Sequence, residues 1–268
     1  MGLTKREQAM QLISDHLEVL RSDVFQVETK WPHFQLLLDD LTDLAGQMAP
    51  GAHVVLMERG LLYGGCSLAA PFFAEQTVST VDCSPPSAKK RGAYNADMVV
   101  DPRFIRVPAT HRGQPEKTGL EDACADLVVV PNLVHHIRDQ DGFFAEINRI
   151  LKPGGMAYVF EPLVRELHQV PDDYLRYTPF GLADKYKQVG LTPQDPKLEG
   201  GPFSAVAYCW AQALEYLPEP ARSEKSKWFY GTHFQELMAL DQAHPTNNMR
   251  QHTQFPMAYS VAATKALK

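Results

Sequence analysis

The chain has 268 residues, 44% of them hydrophobic and 22% charged, with a formal net charge of −6. That is enough apolar material for one large core with an added lid, and the negative charge disfavours non-specific binding to nucleic acid or acidic lipid. No apolar run is long enough to span a bilayer, MGLTKREQAM lacks the apolar core of a signal peptide, and Cys66, Cys83, Cys124 and Cys209 form no CxxC. The expectation is a cytoplasmic protein with buried reduced thiols and neither nucleic-acid nor membrane partners.

Residues 5–21 carry Met10, Ile13, Leu17 and Leu20 at helical spacing, and 32–48 carry Phe34, Leu37, Leu38, Leu41 and Leu44. Pro50-Gly51 breaks the chain before HVVLM, 53–57. Short apolar runs then alternate with helical stretches: TVSTVD at 77–82, RFIRV at 103–107, ADLVVV at 125–130 and MAYVFE at 156–161. Strands of this kind are buried on both faces. They predict an α/β, Rossmann-like fold with a mostly parallel sheet and helices on both sides. Residues 108–122 read as a surface loop. After residue 161 the polar LVRELHQVPDDYLRYTPF leads to a short helix near 179–189. Helical stretches at 204–217 and 227–241, separated by the charged PEPARSEKSK, read as a cap, and MAYSVAATK at 257–265 as a last strand. The expected division is a helical segment over 1–50, a core over 51–199 and 256–268, and a helical cap over 200–255.

The stretch VVLMERGLLYGG, 54–65, ends a buried strand in Glu58 and opens a loop containing Gly60, Gly64 and Gly65. Such a loop can hold a polar cofactor on backbone N–H groups, with glycine where the ligand approaches or where φ is positive. Asp82 closes the next strand, where an acid can accept both hydroxyls of a ribose. An ordinary strand–helix–strand turn with a solvated Asp82 is the plainer alternative.

Residues 125–162 read ADLVVVPNLVHHIRDQDGFFAEINRILKPGGMAYVFEP. Asp126 opens a strand, Asn132 follows it in a turn, and a helix with Phe144, Ile147 and Ile150 on one face stops at LKPGG. Pro153 cannot continue that helix, and Gly154-Gly155 permit a left-handed exit. This run, with Leu133 to His136, Glu146, Arg149 and Leu151 to Gly155, resembles the class I S-adenosylmethionine-dependent methyltransferases. HQVPDDYLRYTPFGL, 168–182, resembles a segment of one subgroup. MAYSVAATK resembles the family's reversed seventh strand. The resemblance covers roughly residues 50–195.

It implies a seven-stranded sheet with the last strand antiparallel, and S-adenosylmethionine as cofactor. Glu58, Gly60 and Gly64 match the family's acid-and-glycine motif, with Leu62 in place of the middle glycine. Asp82 matches the ribose acid, and Pro131 and Asn132 lie where the loop flanks the methionine part. No adenine-side acid follows RFIRV. The implied activity is methyl transfer to a small-molecule or sugar-containing acceptor, with oxygen as acceptor atom.

Histidines are the natural bases for such an acceptor. His135 and His136 follow the fourth strand and His168 the fifth, and His168 is the preferred base. Each could equally be a packed or loop-bonded histidine. Metal-binding methyltransferases carry Glu-x-x-Glu-His at this turn. Here Asn132 and His135 replace both carboxylates, so no metal is expected. Asp172, Asp173, Tyr174 and Arg176 could hold a hydroxylated acceptor or only pin their loop. Trp210, Trp228, Phe229 and Tyr230 could line an apolar acceptor pocket or form the cap's own core. Leu62 favours a second reading, a non-catalytic binding or scaffold module with a degenerate cofactor loop. An NAD-dependent oxidoreductase gives LKPGG and HQVPDDY no role. The acceptor's identity and homo-oligomerisation stay open.

Overall fold

The computed structural model describes residues 4–20, 31–59, 66–84, 105, 107–112, 114–244 and 254–267. At its centre β1 (His53–Glu58) lies between β2 (Thr77–Asp82) and β4 (Ala125–Pro131), with β3 (His111–Arg112) beyond β2 and β5 (Leu151–Pro162) beyond β4, all parallel. β8 (Ala258–Lys265) runs antiparallel to β5. β6 (Leu191–Pro193) and β7 (Lys197–Glu199) pair with successive stretches of β8, so the eight strands fill seven positions across the sheet. The expected mostly parallel sheet with a reversed last strand is therefore present.

The sheet forms because its central strands have nothing polar to expose. Val54 to Met57 and Leu127 to Val130 are fully buried, and each such side chain contributes roughly 1.5–3 kcal/mol by leaving water. Alternate residues serve two cores. Val54, Leu56, Leu127 and Val129 pack with α2 (Pro32–Gln47) through Phe34, Leu37, Leu38 and Leu41. Val55, Met57, Val128 and Val130 pack with α3 (Gln140–Ile150) through Phe143, Phe144, Ile147 and Ile150, and with α4 (Pro179–Gln188) through Leu182 and Tyr186. Buried Asp40 ties the first core together: it accepts hydrogen bonds from Tyr158 (2.9 Å), Ser260 (2.7 Å) and Lys197 (2.5 Å).

Several motif residues prove architectural. Asp126 accepts from His53 N–H (2.8 Å) and Lys152 (2.7 Å), pinning the amino edge of the sheet. Glu146 accepts from Thr118 and Arg149, and Arg149 also reaches the Leu120 carbonyl, which fastens α3 to the loop before β4. α3 leaves through Leu151 in an extended conformation instead of the expected left-handed one, and the left-handed residue, Gly154 with φ +80°, lies within β5.

Other expectations need correction. α1 (Lys5–Leu20) buries Ala9, Ile13, His16, Val19 and Leu20, whereas Met10 is exposed, because the helix packs on the Leu68–Phe73 segment and His16 bonds the Leu68 carbonyl. Between β1 and β2 the only helix among the described residues is a 3₁₀ turn, Ala70–Phe73. RFIRV lies outside the described residues except for Ile105 and Val107, neither of which is in a strand; the described strand beside β2 comes from the expected surface loop. Two cysteines are buried as expected, but Cys124 is half-buried and Cys209 exposed; none of the four forms a disulfide.

Over 202–243 the expected helices occur as α5 (Pro202–Leu214), α6 (Ala221–Trp228), a π-helical turn at Phe229–His233 and α7 (Phe234–Ala243). The charged separator is itself largely helical. Asp241 caps α5 by accepting from Phe203 N–H (3.1 Å) and Ser204 N–H (2.6 Å). Ala205, Ala207, Tyr208, Phe229, Phe234 and Met238 pack on Trp31 and Met257, with Val164 at the margin. The Tyr208 hydroxyl donates to Glu166 (2.7 Å). These helices thus rest on the segments that follow β5 and precede β8, at the carboxyl edge of the parallel strands.

Candidate active site

β1 and β2 end level, Glu58 paired with Asp82. The Glu58 carboxylate is buried and turned to its own chain. It accepts from the Ser67 hydroxyl, Leu68 N–H (3.1 Å) and Ala69 N–H (3.3 Å), while Ser67 Oγ accepts from Ala70 N–H (2.9 Å). Glu58 therefore holds the segment leading into the 3₁₀ turn, whose first N–H is capped by Ser67. Burial raises its pKa to about 7 against these donors, and the neighbouring Asp82 adds to the rise. Gly60, Leu62 and Gly64 lie outside the described residues. Asp82, half-buried, accepts from Ser84 N–H (3.0 Å) in a tight turn.

Across β1, Pro131 ends β4 level with Phe160 of β5. Asn132 then takes φ +56°, a left-handed conformation that asparagine tolerates better than most residues. Its N–H donates to the Phe160 carbonyl (2.8 Å), and its Oδ1 is buried with no hydrogen-bond partner among the described residues.

The next turn, 3₁₀ over Val134–His136, brings His135 and His136 into the interior. Glu161, near the end of β5, holds it: one carboxylate oxygen accepts from Leu133 N–H (2.9 Å) and Val134 N–H (2.7 Å), the other from His135 Nδ1 (2.6 Å). Burial drives the Glu161 pKa up to about 8, opposed by these backbone donors. Sequence reasoning missed Glu161; its signal was an acid closing the apolar run MAYVFE.

His168 joins the pair from the loop after β5. The ring centroids are 3.9 Å apart for His135 and His136, 5.2 Å for His135 and His168, and 4.9 Å for His136 and His168. Each ring has its Nδ1 engaged. His136 Nδ1 lies 2.5 Å from the Asp172 carbonyl, which can only accept, so this nitrogen carries the hydrogen. His168 Nδ1 faces the Glu166 carbonyl (3.3 Å) and the Asp173 carboxylate (3.1 Å), so it donates as well. Burial, aided by nearby arginines, depresses the His168 pKa to about 4 and holds those of His135 and His136 well below the ordinary value. All three rings are neutral at pH 7.

Asp173 pairs with Arg176 and accepts from His168 N–H, and Tyr174 N–H donates to the His135 carbonyl, so this loop is pinned to the histidine turn, the plainer of its two expected roles. Phe229 lies in the cap's core, and Trp210, Trp228 and Tyr230 are exposed. A cavity of about 490 Å³ lies instead between Val164–Glu166 and the α5 residues Tyr208, Cys209 and Gln212. That is within the size range of small-molecule sites.

A family model described as a methyltransferase domain matches residues 63–159. The sheet order 3-2-1-4-5 with an antiparallel strand beyond agrees with that match. Over residues 63–159 the chain is similar to the methyltransferase-domain family, which supports the resemblance to the class I S-adenosylmethionine-dependent methyltransferases. S-adenosylmethionine is the cofactor of that family. A curated relative, the dimethylglycine N-methyltransferase of Parasynechococcus marenigrum, is 29% identical over 126 residues, 47% of this chain and 43% of the relative. The matched part thus spans less than half the length of that methyltransferase. Among solved structures, the [4+2]-cyclase SpnF superposes with TM-score 0.53 at 16% identity, covering 100% of this chain and 98% of that one. The phosphoethanolamine N-methyltransferase 2 of Haemonchus contortus, solved with phosphomonomethylethanolamine and S-adenosylhomocysteine, gives TM-score 0.50 at 15% identity, covering 100% and 61%. These likenesses concern the methyltransferase fold. Among the described residues, no helix is long and apolar enough to cross a membrane.

Proposed function

We propose that the protein transfers a methyl group from S-adenosylmethionine to an oxygen of a small-molecule acceptor, sugar-containing acceptors included, in a cytoplasmic setting. When bound, S-adenosylmethionine supplies an electrophilic methyl group. Asp82 would take the ribose hydroxyls. Asn132 and Pro131 would flank the methionine part. The partnerless Asn132 Oδ1, on the same sheet edge as Asp82, fits a ligand that brings amine and hydroxyl donors.

The observation that carries the reading is the assembly of three neutral imidazoles at the carboxyl ends of β4 and β5, next to Asn132. Ligands bind at this edge in open α/β sheets. Neutral imidazoles suit a hydroxyl, which must shed a proton, better than a tertiary amine, which has none to lose. The named relatives support a small acceptor, since dimethylglycine and phosphoethanolamine are both small. The cavity beside Glu166 would receive its remainder.

The test is release of S-adenosylhomocysteine over a panel of small hydroxyl and amine acceptors. Turnover on hydroxyl compounds supports the reading, and turnover confined to amines contradicts the oxygen assignment. The binding-module alternative rests on Leu62 in the glycine loop. It predicts cofactor binding without turnover, or no binding.

A further inference from the structure

We propose that His135, His136 and His168 together bind one divalent transition-metal ion of the zinc type through their Nε2 atoms, with a coordination position left open. One ring nitrogen from each residue lies within 4.8 Å of the others. Because every Nδ1 is engaged by an oxygen, Nε2 is the nitrogen left with a lone pair on each ring. His135 Nε2 is buried and has no hydrogen-bond partner among the described residues. Three converging lone pairs repel one another unless a cation or a shared donor lies between them. An Nδ1–H held by a carboxylate or carbonyl is also how metal-ligating histidines are oriented, and here Glu161, the Asp172 carbonyl and Asp173 provide it.

Zinc–nitrogen bonds of about 2.0–2.1 Å place tetrahedral ligands about 3.3 Å apart, and one nitrogen of each ring already lies within 4.8 Å of the other two. Arg59, Arg165 and Arg176 face the cluster and oppose a cation, while Glu166 and Asp173 offset them, Asp173 directly on Arg176. Absence of the carboxylates Glu-x-x-Glu does not weigh against this site, because its donors are imidazoles. Three histidines with an open fourth position suit a catalytic rather than a structural ion. The open position would take the acceptor oxygen, a role that rests on the proposed methyl transfer. In that case His168 acts as a ligand and not as the base.

The test begins with metal-free full-length protein titrated calorimetrically with zinc, and with cobalt(II) followed by visible absorption. S-adenosylmethionine is titrated separately in EDTA. The expected result is one zinc per chain, a tetrahedral cobalt spectrum, and at least tenfold weaker binding in His168→Ala and in His136→Gln. Circular dichroism identifies which variant is folded and therefore decisive. No stoichiometric zinc binding, or unchanged affinity in a folded variant, overturns the proposal. Cofactor binding without zinc binding refutes the metal site alone; zinc binding without cofactor binding refutes the methyl-transfer reading and leaves the metal site standing.

Discussion

Glu58 offers a test of what a buried acid does at the end of β1, where the proposed cofactor loop begins. Its carboxyl is buried among Ser67, Leu68 and Ala69, and its pKa rises from 4.5 to about 7. A folded-state value above the unfolded one means that the protonated form favours folding. That contribution is fully present below about pH 4.5 and is lost as pH rises through about 7. A shift of this size corresponds to about 3 kcal/mol. Glu58→Gln fixes the uncharged form. The amide oxygen still accepts from the two backbone N–H groups, and Ser67 turns to accept from the amide. Urea denaturation of both proteins between pH 4.5 and 8.5 isolates this group, because the other titrating residues cancel in the difference. Relative to Glu58→Gln, the parent should lose about 3 kcal/mol over that range, most of it between pH 5 and 7.5. A constant difference would mean that the three donors keep Glu58 ionised throughout, and the argument from burial would fail.

Asp40→Ala strands the buried hydroxyls of Tyr158 and Ser260; about 3 kcal/mol of stability should go, read as a melting temperature lower by roughly 6–12 °C. At Gly154, with φ +80°, an added Cβ would lie 2.7 Å from Leu267. Gly154→Ala should cost about 1–2 kcal/mol by urea unfolding, mostly backbone strain, since Leu267 is exposed and can move. Asp82→Ala should weaken S-adenosylmethionine about tenfold to a hundredfold in calorimetry by removing a charge-assisted hydrogen bond, with melting temperature little changed; unaltered affinity would remove Asp82 from the site.

The sheet was legible because its strands are apolar on both faces and its motifs are structural. Asp126 and the Glu146–Arg149 pair recur in a recognisable run because they pin the sheet edge and a loop, and such roles fix spacing. β6 and β7 escaped notice because three residues, one of them a proline or two of them charged, carry no alternation. Met10 misled because α1 uses Ala9 and His16 against Leu68–Phe73, so its buried face is turned from the one that the largest side chains mark. For the site, the sequence placed Asp82, Asn132, His135 and His136 at the carboxyl edge of the sheet, where the structure has them. It could not show that His168 closes on the two other histidines, since that depends on Asp173 and Arg176 folding the loop back. Nor could it show that Glu161 stands behind His135.

The proposed site for S-adenosylmethionine is the carboxyl edge from Asp82 to Asn132. Isothermal titration of the parent protein with S-adenosylmethionine and with S-adenosylhomocysteine tests it most directly. The account predicts saturable binding of both at one molecule per chain. A folded parent protein that binds neither would contradict it.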